Sequence, residues 1–151
     1  MTGAKSKLAY VETEDKLDKA ISDGTADKLA VAVFDLNGLK HINDTMGHET
    51  GDEYIINAYR LISDSFRHSS VYRVGGDEFV VILEGSDYDQ REALLDGFNG
   101  RIDKNLVENK VVVSAGMSDY VAGKDTSYKR VFVRADHSMY ERKEQLKRIN
   151  V

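Results

Sequence analysis

The chain has 151 residues, of which 41% are hydrophobic and 31% charged, so it is typical of one folded domain and not of a disordered segment. It has no cysteine, which excludes disulfide bonds and thiolate metal sites, and no apolar run approaches the roughly 20 residues that span a bilayer. The net charge of −5 disfavours a nucleic-acid-coating surface, although a few local cations and a metal still suffice to bind an anionic small ligand.

The spacing of apolar residues predicts helices that alternate with strands. The predicted elements are a helix over 5–22, a strand over 29–36, helices over 39–46 and 51–66, strands near 70–74 and 78–84, a helix over 90–106, a strand over 111–117 and a helix over 129–147. Residues 86–89 are predicted to form a polar loop in which Ser86 or Asp87 caps the next helix. Because a hairpin makes the sheet at least partly antiparallel, we predict a mixed α/β (α+β) domain with a central, mostly antiparallel sheet surrounded by helices.

The most informative segment is the turn of this hairpin, residues 73–79, which reads Arg-Val-Gly-Gly-Asp-Glu-Phe. The Gly75–Gly76 pair predicts a tight turn, because glycine accepts positive φ angles. Two adjacent carboxylates, Asp77 and Glu78, then open the exit strand. Successive strand residues point to opposite faces, so these two cannot both be ordinary core positions, and one is expected to face a functional site.

A third carboxylate, Asp35, ends the apolar strand over 29–36, where a charge is costly unless it is paired or bound to a metal. Taken alone, Asp35 fits the N-cap of the following short helix. Taken with Asp77 and Glu78, it predicts a magnesium site, because Mg²⁺ uses a few protein carboxylates together with substrate phosphates.

Two further pairs of polar residues fit a phosphorylated purine. Asn43 and Asp52 offer an amide and a carboxylate, which together match the edge of guanine, although each also fits a turn or a helix cap. Lys143 and Lys147 are one helical turn apart and share a face. Such a lysine pair is most often solvated surface, but beside a metal site it suits a triphosphate.

Residues 73–79 resemble the signature of GGDEF domains, the diguanylate cyclases of bacterial signalling. Further blocks agree with this family in order and spacing, including its nucleotide-binding segment, a strand motif and its terminal helix. These blocks are residues 2–3, 8–10, 34–44, 47–52, 113–116 and 135–143. The resemblance covers essentially the whole chain and implies the fold shared by nucleotidyl cyclases and the polymerase palm.

The resemblance also implies roles for individual residues. Asp35, Asp77 and the Leu36 carbonyl would hold two Mg²⁺ (or Mn²⁺) ions per active site. Catalytic roles are expected for Asp77, Glu78 and Lys143, and a general-base role falls to the Asp77–Glu78 pair without being assignable to one member. The residues expected to bind GTP are Gly38, Leu39, Lys40, Asn43, Asp52, Gly75, Gly76, Lys143 and Lys147.

The implied activity is Mg²⁺-dependent condensation of two GTP molecules into cyclic di-GMP, with release of two pyrophosphates. Because one domain binds one GTP, two copies must meet through their active-site faces in a transient two-fold homodimer. We expect a cytoplasmic domain without nucleic-acid or membrane contacts, fused to a regulatory or sensor domain in a longer parent that is free to be membrane-anchored. The isolated domain is expected to turn over slowly.

Several positions depart from the family pattern. Asn37 stands in place of a frequent aspartate, Gly38 and Leu39 replace an aromatic pair, and Lys147 stands where arginine is more frequent, which keeps the charge but loses the planar fork. The product-inhibition motif is absent, because its positions hold Phe66 and Ser69, and we predict no feedback inhibition through that site. The chain begins inside the family's opening motif, so we expect a domain excised from a longer protein.

Two alternatives stay open from the sequence. The first is a catalytically silent regulatory module that binds GTP, and the intact Asp77 and Glu78 count against it. The second is a cyclase that makes a mixed purine dinucleotide, and Asp52, which suits guanine, counts against it.

Overall fold

A computed structural model describes residues 3–149 as a four-stranded sheet between two layers of helices. The strand order is β2-β3-β1-β4 and every neighbouring pair is antiparallel, which confirms the predicted fold class. Thr2, part of the opening block, lies outside the described residues. The elements are α1 (Lys7–Asp23), β1 (Ala30–Leu36), α2 (Leu39–Met46), α3 (His48–Ser65), β2 (Ser70–Arg73), β3 (Glu78–Leu83), α4 (Gly85–Asp89), α5 (Arg91–Val107), β4 (Val113–Asp119) and α6 (Tyr128–Ile149).

The central strand β1 is buried along its whole length, as its apolar run predicts. Its residues alternate between two hydrophobic clusters, because successive strand side chains point to opposite faces. Ala32 and Phe34 join a cluster with α3 and α5, whereas Val31 and Val33 join a cluster with α1 and α6. Asp35 continues the second series, so the alternation directs it toward the face that α6 covers.

Helix α6 lies unusually close to β4. A Cβ atom added at Gly116 would collide with the Ala135 carbonyl oxygen and the Met139 amide nitrogen, both of them backbone atoms of the helix. Ala135 is fully buried at this contact and Met139 nearly so. Glycine is therefore required at position 116 to let the helix approach the strand.

The structure moves several predicted boundaries. Helix α3 begins at His48 and not near residue 51, so that only Gly47 separates it from α2. Strand β4 begins at Val113 and not at 111, because the backbone N–H of Val112 donates to the Tyr54 hydroxyl and not to a neighbouring strand. Within residues 3–149, no helix combines the length and apolar character needed to cross a bilayer.

The predicted polar loop at 86–89 is wrong, because residues 85–89 form the short helix α4. The predicted cap is wrong as well. Gln90 stands at the N-cap of α5 and its side chain makes no capping hydrogen bond. The Asp87 carboxylate is buried and accepts hydrogen bonds from the backbone N–H of His68 and the Ser69 hydroxyl, both at 2.8 Å, so it ties α4 to the loop between α3 and β2.

We expect Gly116→Ala to lower the free energy of unfolding by about 3 kcal/mol, because the new methyl group meets helix backbone that cannot rotate away. Urea unfolding followed by circular dichroism measures this change. Gly100→Ala is the matched control, since Gly100 lies inside α5 and a Cβ there meets nothing within 4 Å. That control should gain about 0.5–1 kcal/mol. Equal effects of the two substitutions would contradict the close approach at Gly116.

Candidate active site

Three polar side chains form a row across the sheet, beneath α6. Asp35 on β1 is directly opposite Glu78 on β3 and directly opposite Ser114 on β4. Residues that face each other in an antiparallel ladder point to the same side of the sheet. The row therefore places two carboxylates side by side at the end of the central strands, on the face that carries Val31 and Val33.

Lys143 of α6 pairs with the first of these carboxylates. Its Nζ atom donates to Oδ2 of Asp35 at 2.6 Å, and both side chains are largely buried. The N-cap interpretation of Asp35 is wrong, because the residue at the N-cap of α2 is Gly38. The interpretation of Lys143 as solvated surface is also wrong, because its ammonium group pairs with the buried Asp35 carboxylate.

Two carboxylates of the site, those of Asp35 and Glu78, have a raised pKa. Burial raises the pKa of Asp35, the charge of nearby Asp77 raises it further, and the Lys143 ammonium opposes the shift. Burial also raises the pKa of Glu78, and Asp136, Asp35 and Asp77 add to this shift in that order. The site thus concentrates negative charge and is suited to bind a cation.

Asp136 is a member of this charge cluster that the sequence argument did not single out. It lies on α6 and is the strongest charged neighbour of Glu78. The spacing gives a signal in retrospect, because Asp136 and Lys143 are two helical turns apart and share one face. The same helix face therefore presents a carboxylate near Glu78 and an ammonium group at Asp35.

The β2–β3 turn differs from the predicted one. Neither Gly75 nor Gly76 has φ in the left-handed region, so positive φ is not the reason for this pair. Arg73 instead holds the turn, donating from Nε to the Gly75 carbonyl at 3.3 Å and from Nη2 to the Gly76 carbonyl at 2.9 Å. A Cβ at Gly76 would meet nothing within 4 Å, so the surface beside Asp77 stays open.

The loop between β1 and α2 presents backbone N–H groups. Gly38 has a φ of 76° and no side chain caps the helix, while the first intrahelical bond reaches Gly38 from Ile42. The N–H groups of the first turn are therefore available to an anion. Lys40 is exposed at this turn, but the Leu39 side chain is buried in the core, so only the backbone of Leu39 can serve a ligand.

A cavity of about 280 Å³ brings this loop together with the lysines of α6. Asn37 and Gly38 line one side of it, and Lys143 and Lys147 line another. Lys147 is mostly exposed and lies 3.5 Å from Glu144. Three of the residues predicted to contact phosphates, Gly38, Lys143 and Lys147, therefore lie around one concave surface, whereas Leu39 and Lys40 do not line it.

Asn43 and Asp52 are carried by the neighbouring helices α2 and α3. A Cβ added at Gly51 would collide with Oδ1 of Asn43, so the Asn43 amide lies directly against α3. Gly51 immediately precedes Asp52, which is exposed. Asn43 is therefore held beside the turn of α3 that carries Asp52, and neither residue caps a helix.

The donor set near Asp35 fits a hard divalent cation. Asp35 and Asp77 supply carboxylate oxygens, and the Leu36 amide bonds the Asp77 carbonyl at 2.9 Å, which draws the two segments together. Among the described residues, no three His, Asp or Glu side chains are arranged to enclose a metal. Two carboxylates are nevertheless what Mg²⁺ commonly takes from a protein when waters and substrate phosphates complete its shell.

Phe66 and Ser69, which stand at the positions of the missing product-inhibition motif, both make contacts within the fold. Phe66 is fully buried, and its ring lies 5.8 Å from Phe34 and 6.4 Å from Phe98. The Ser69 hydroxyl donates to Asp87 and accepts from the Glu84 amide. Neither side chain is free to bind a ligand.

Comparisons with known proteins place this chain in a family. The antiparallel sheet flanked by helices is the palm-like fold of nucleotidyl cyclases. The family described as "Diguanylate cyclase, GGDEF domain" matches residues 10–148, and the chain belongs to this family. The GGDEF domain of DgcB from Caulobacter crescentus, in complex with c-di-GMP, has a TM-score of 0.75 and 24% identity, covering 95% of this chain and 88% of that chain.

Two curated relatives give the family its biochemical setting. Diguanylate cyclase DosC of Escherichia coli (strain K12) is 27% identical over 136 residues, which are 87% of this chain and 30% of that protein. The bifunctional diguanylate cyclase/cyclic di-GMP phosphodiesterase MucR of Pseudomonas aeruginosa is 30% identical over 139 residues, 87% of this chain and 20% of that protein. The chain therefore spans less than a third of the length of either relative.

We expect Glu78→Gln to stabilise the fold at pH 7 by about 1 kcal/mol, because it removes a charge that burial and neighbouring carboxylates disfavour. The raised pKa of Glu78 means that its ionised form destabilises the protein above the raised pKa. This destabilisation disappears as the pH falls below the ordinary glutamate value. The gain should accordingly shrink when unfolding in urea is measured at pH 4 instead of pH 7. Glu12→Gln, at an exposed position on α1, is the control, and a gain that does not depend on pH would contradict the electrostatic cause.

Proposed function

We propose that this chain is a diguanylate cyclase domain that condenses two GTP molecules into cyclic di-GMP. One observation carries the proposal, namely the buried Asp35–Lys143 pair with Asp77 and Glu78 beside it at the end of the central strands. Among the described residues, the Lys143 ammonium is paired with Asp35 while Asp77 and Glu78 lie beside it, so the site retains negative charge that bound metal ions would neutralise. Membership of a family with diguanylate cyclase relatives supports the same reaction.

Asp35, Asp77 and the Leu36 carbonyl would hold the magnesium ions. When bound, Mg²⁺ lowers the pKa of a hydroxyl that it contacts and stabilises charge on the leaving pyrophosphate. Lys143 already donates to Asp35, and its position beside the cavity suits a second contact with phosphate oxygens. The lysine would thus link the metal-binding carboxylate to the substrate.

The surrounding residues suit GTP. Asn43 and Asp52 would read the guanine edge with an amide and a carboxylate. The free N–H groups at the start of α2, together with Lys40, Lys143 and Lys147, would bind the triphosphate. The glycine turn at 75–76 would leave room for the nucleotide, since no side chain fills the surface at Gly76.

The reaction forms a bond from the ribose 3′-oxygen of one GTP to the α-phosphorus of the other and breaks the α–β phosphoanhydride bond, so pyrophosphate leaves. The 3′-hydroxyl proton passes to a base, for which the Asp77–Glu78 pair is the candidate. Each domain holds one GTP, so two domains must face each other with two-fold symmetry, and each step occurs twice to close the ring.

The parent protein would control this encounter. Because the chain spans only part of its curated relatives, we propose that a fused regulatory or sensor domain brings two copies together. We propose that the domain is cytoplasmic, because that is where GTP would be available to it. The isolated domain would then depend on chance encounters and turn over slowly.

Incubating the domain with GTP and Mg²⁺ at high protein concentration should yield cyclic di-GMP, resolved chromatographically, with a rate that rises more steeply than linearly with protein concentration. Asp77→Ala should reduce the rate by at least about 100-fold, since it removes a metal ligand. Asp96→Ala, at an exposed position on α5, is the matched control and should retain the rate.

Different outcomes separate the alternatives. GTP binding without product would favour a silent regulatory module and sink the cyclase proposal for this chain. A mixed purine product from GTP and ATP would contradict the guanine assignment of Asp52. Turnover that survives Asp77→Ala would contradict the metal assignment alone.

We also predict that added cyclic di-GMP leaves the initial rate unchanged at saturating GTP, because Phe66 and Ser69 are committed to the fold. Initial rates at rising product concentration test this expectation. Non-competitive inhibition that Arg67→Ala abolishes would show a feedback site at this surface after all.

A further inference from the structure

The Tyr54 hydroxyl joins three segments of the fold. It donates to the Asn37 carbonyl at 2.7 Å and accepts from the Val112 amide at 2.9 Å, while the Val112 carbonyl lies 3.1 Å away. A hydroxyl has one proton, so the shorter contact to Asn37 is the preferred donation. The side chain is half-buried on α3, and it thereby links α3 to the loop after β1 and to the start of β4.

Asn37 is fixed by two more hydrogen bonds. Its backbone N–H donates to the Val112 carbonyl at 2.9 Å. Its side-chain Oδ1 accepts from the Ser114 hydroxyl at 2.7 Å, and Ser114 is fully buried. Although Asn37 lies in a loop, hydrogen bonds therefore hold its backbone N–H, its backbone carbonyl and its side chain.

This loop residue controls the direction of its neighbours. The Asn37 carbonyl and the Gly38 N–H belong to one planar trans peptide unit and point in opposite directions. When Tyr54 holds the carbonyl oxygen, the Gly38 N–H is aimed away from Tyr54, and the left-handed turn at Gly38 then starts α2. The peptide preceding Asn37 carries the Leu36 carbonyl, and its N–H is held separately by the Val112 carbonyl, so both peptide units around Asn37 are fixed.

We propose that Tyr54 is a positioning residue that fixes the phosphate-binding loop at Asn37–Gly38 before the nucleotide arrives. The inference rests on the proposed function, because it names the GTP phosphates as the group that the loop receives. It goes beyond that function because Tyr54 lies outside the proposed metal and guanine sites, and yet its hydroxyl is assigned a role in phosphate affinity. Preorganisation of this kind strengthens binding by removing the cost of ordering the loop.

Tyr54→Phe removes the hydroxyl and keeps the ring. The matched control is Tyr59→Phe on the same helix, because the Tyr59 hydroxyl has no hydrogen-bond partner within residues 3–149 and its ring packs near Phe79. Urea midpoints should show that both variants remain folded. Ser114→Ala is a second variant that loosens Asn37 from its other side.

The affinity test compares two probes. The first is α,β-methylene-GTP with Mg²⁺, in which the bond that breaks is blocked, and the second is guanosine, which has no phosphate. We expect Tyr54→Phe and Ser114→Ala to weaken the binding of α,β-methylene-GTP by roughly three- to tenfold and to leave the affinity for guanosine unchanged. Tyr59→Phe should change neither. Equal weakening of both probes, or no weakening, would overturn the positioning role, since a purely structural defect does not select for phosphates.

A second measurement does not require any nucleotide. Amide hydrogen exchange at Asn37, followed by NMR in the free protein, should be faster in Tyr54→Phe and unchanged in Tyr59→Phe. Unchanged exchange in Tyr54→Phe overturns the positioning role whatever the nucleotide results. A wild-type protein that binds neither probe overturns the proposed function, and with it the ligand named for this loop, so the two failures are distinct.

Discussion

The close packing of α6 on β4 is the constraint on which the site depends, because it brings Lys143 to Asp35. Because Gly116 has no side chain, the helix backbone at Ala135 and Met139 rests directly against the strand. One turn further along, Lys143 then reaches Asp35 on the adjacent central strand. The close approach thus supports the pairing of Asp35 with its cation, and removing the partner of a buried carboxylate costs several kcal/mol.

That pairing is only partial compensation, and the remaining imbalance is what makes the site suited to a ligand. Asp35 and Glu78 both have raised pKa values, although Lys143 lowers each of them. A fold selected for stability alone would replace such carboxylates by apolar residues of similar size. Their presence at adjacent ladder positions is better explained by a cation or a metal-bound substrate that enters the site.

Much of this arrangement follows from the sequence. The parts that could not be predicted depend on which side chain bonds a particular backbone group. The β1 alternation puts Asp35 on the face of Val33, and alternation in the exit strand means that Asp77 and Glu78 cannot both be core positions, both from local patterns. That Glu78 is the residue opposite Asp35 depends on the long-range pairing of β1 with β3. The reason for the Gly75–Gly76 turn could not be read, because the Arg73 guanidinium that holds it acts through a side-chain conformation.

The other misplaced features depend on partners remote in the chain. Asp87 is drawn away from capping by His68 and Ser69, and β4 starts late because Val112 bonds Tyr54. Periodicity describes an element's own faces, but it carries no information on which distant side chain satisfies a given backbone group.

Asn37 shows how a departure from a family pattern can be physically consistent. An amide oxygen at this position accepts the Ser114 hydroxyl just as an aspartate carboxylate would, so the loop keeps its anchor. An aspartate would add a further negative charge within two residues of Asp35, whose pKa burial and Asp77 already raise. Asparagine therefore retains the hydrogen bond with Ser114 and adds no charge that would repel Asp35 and Asp77.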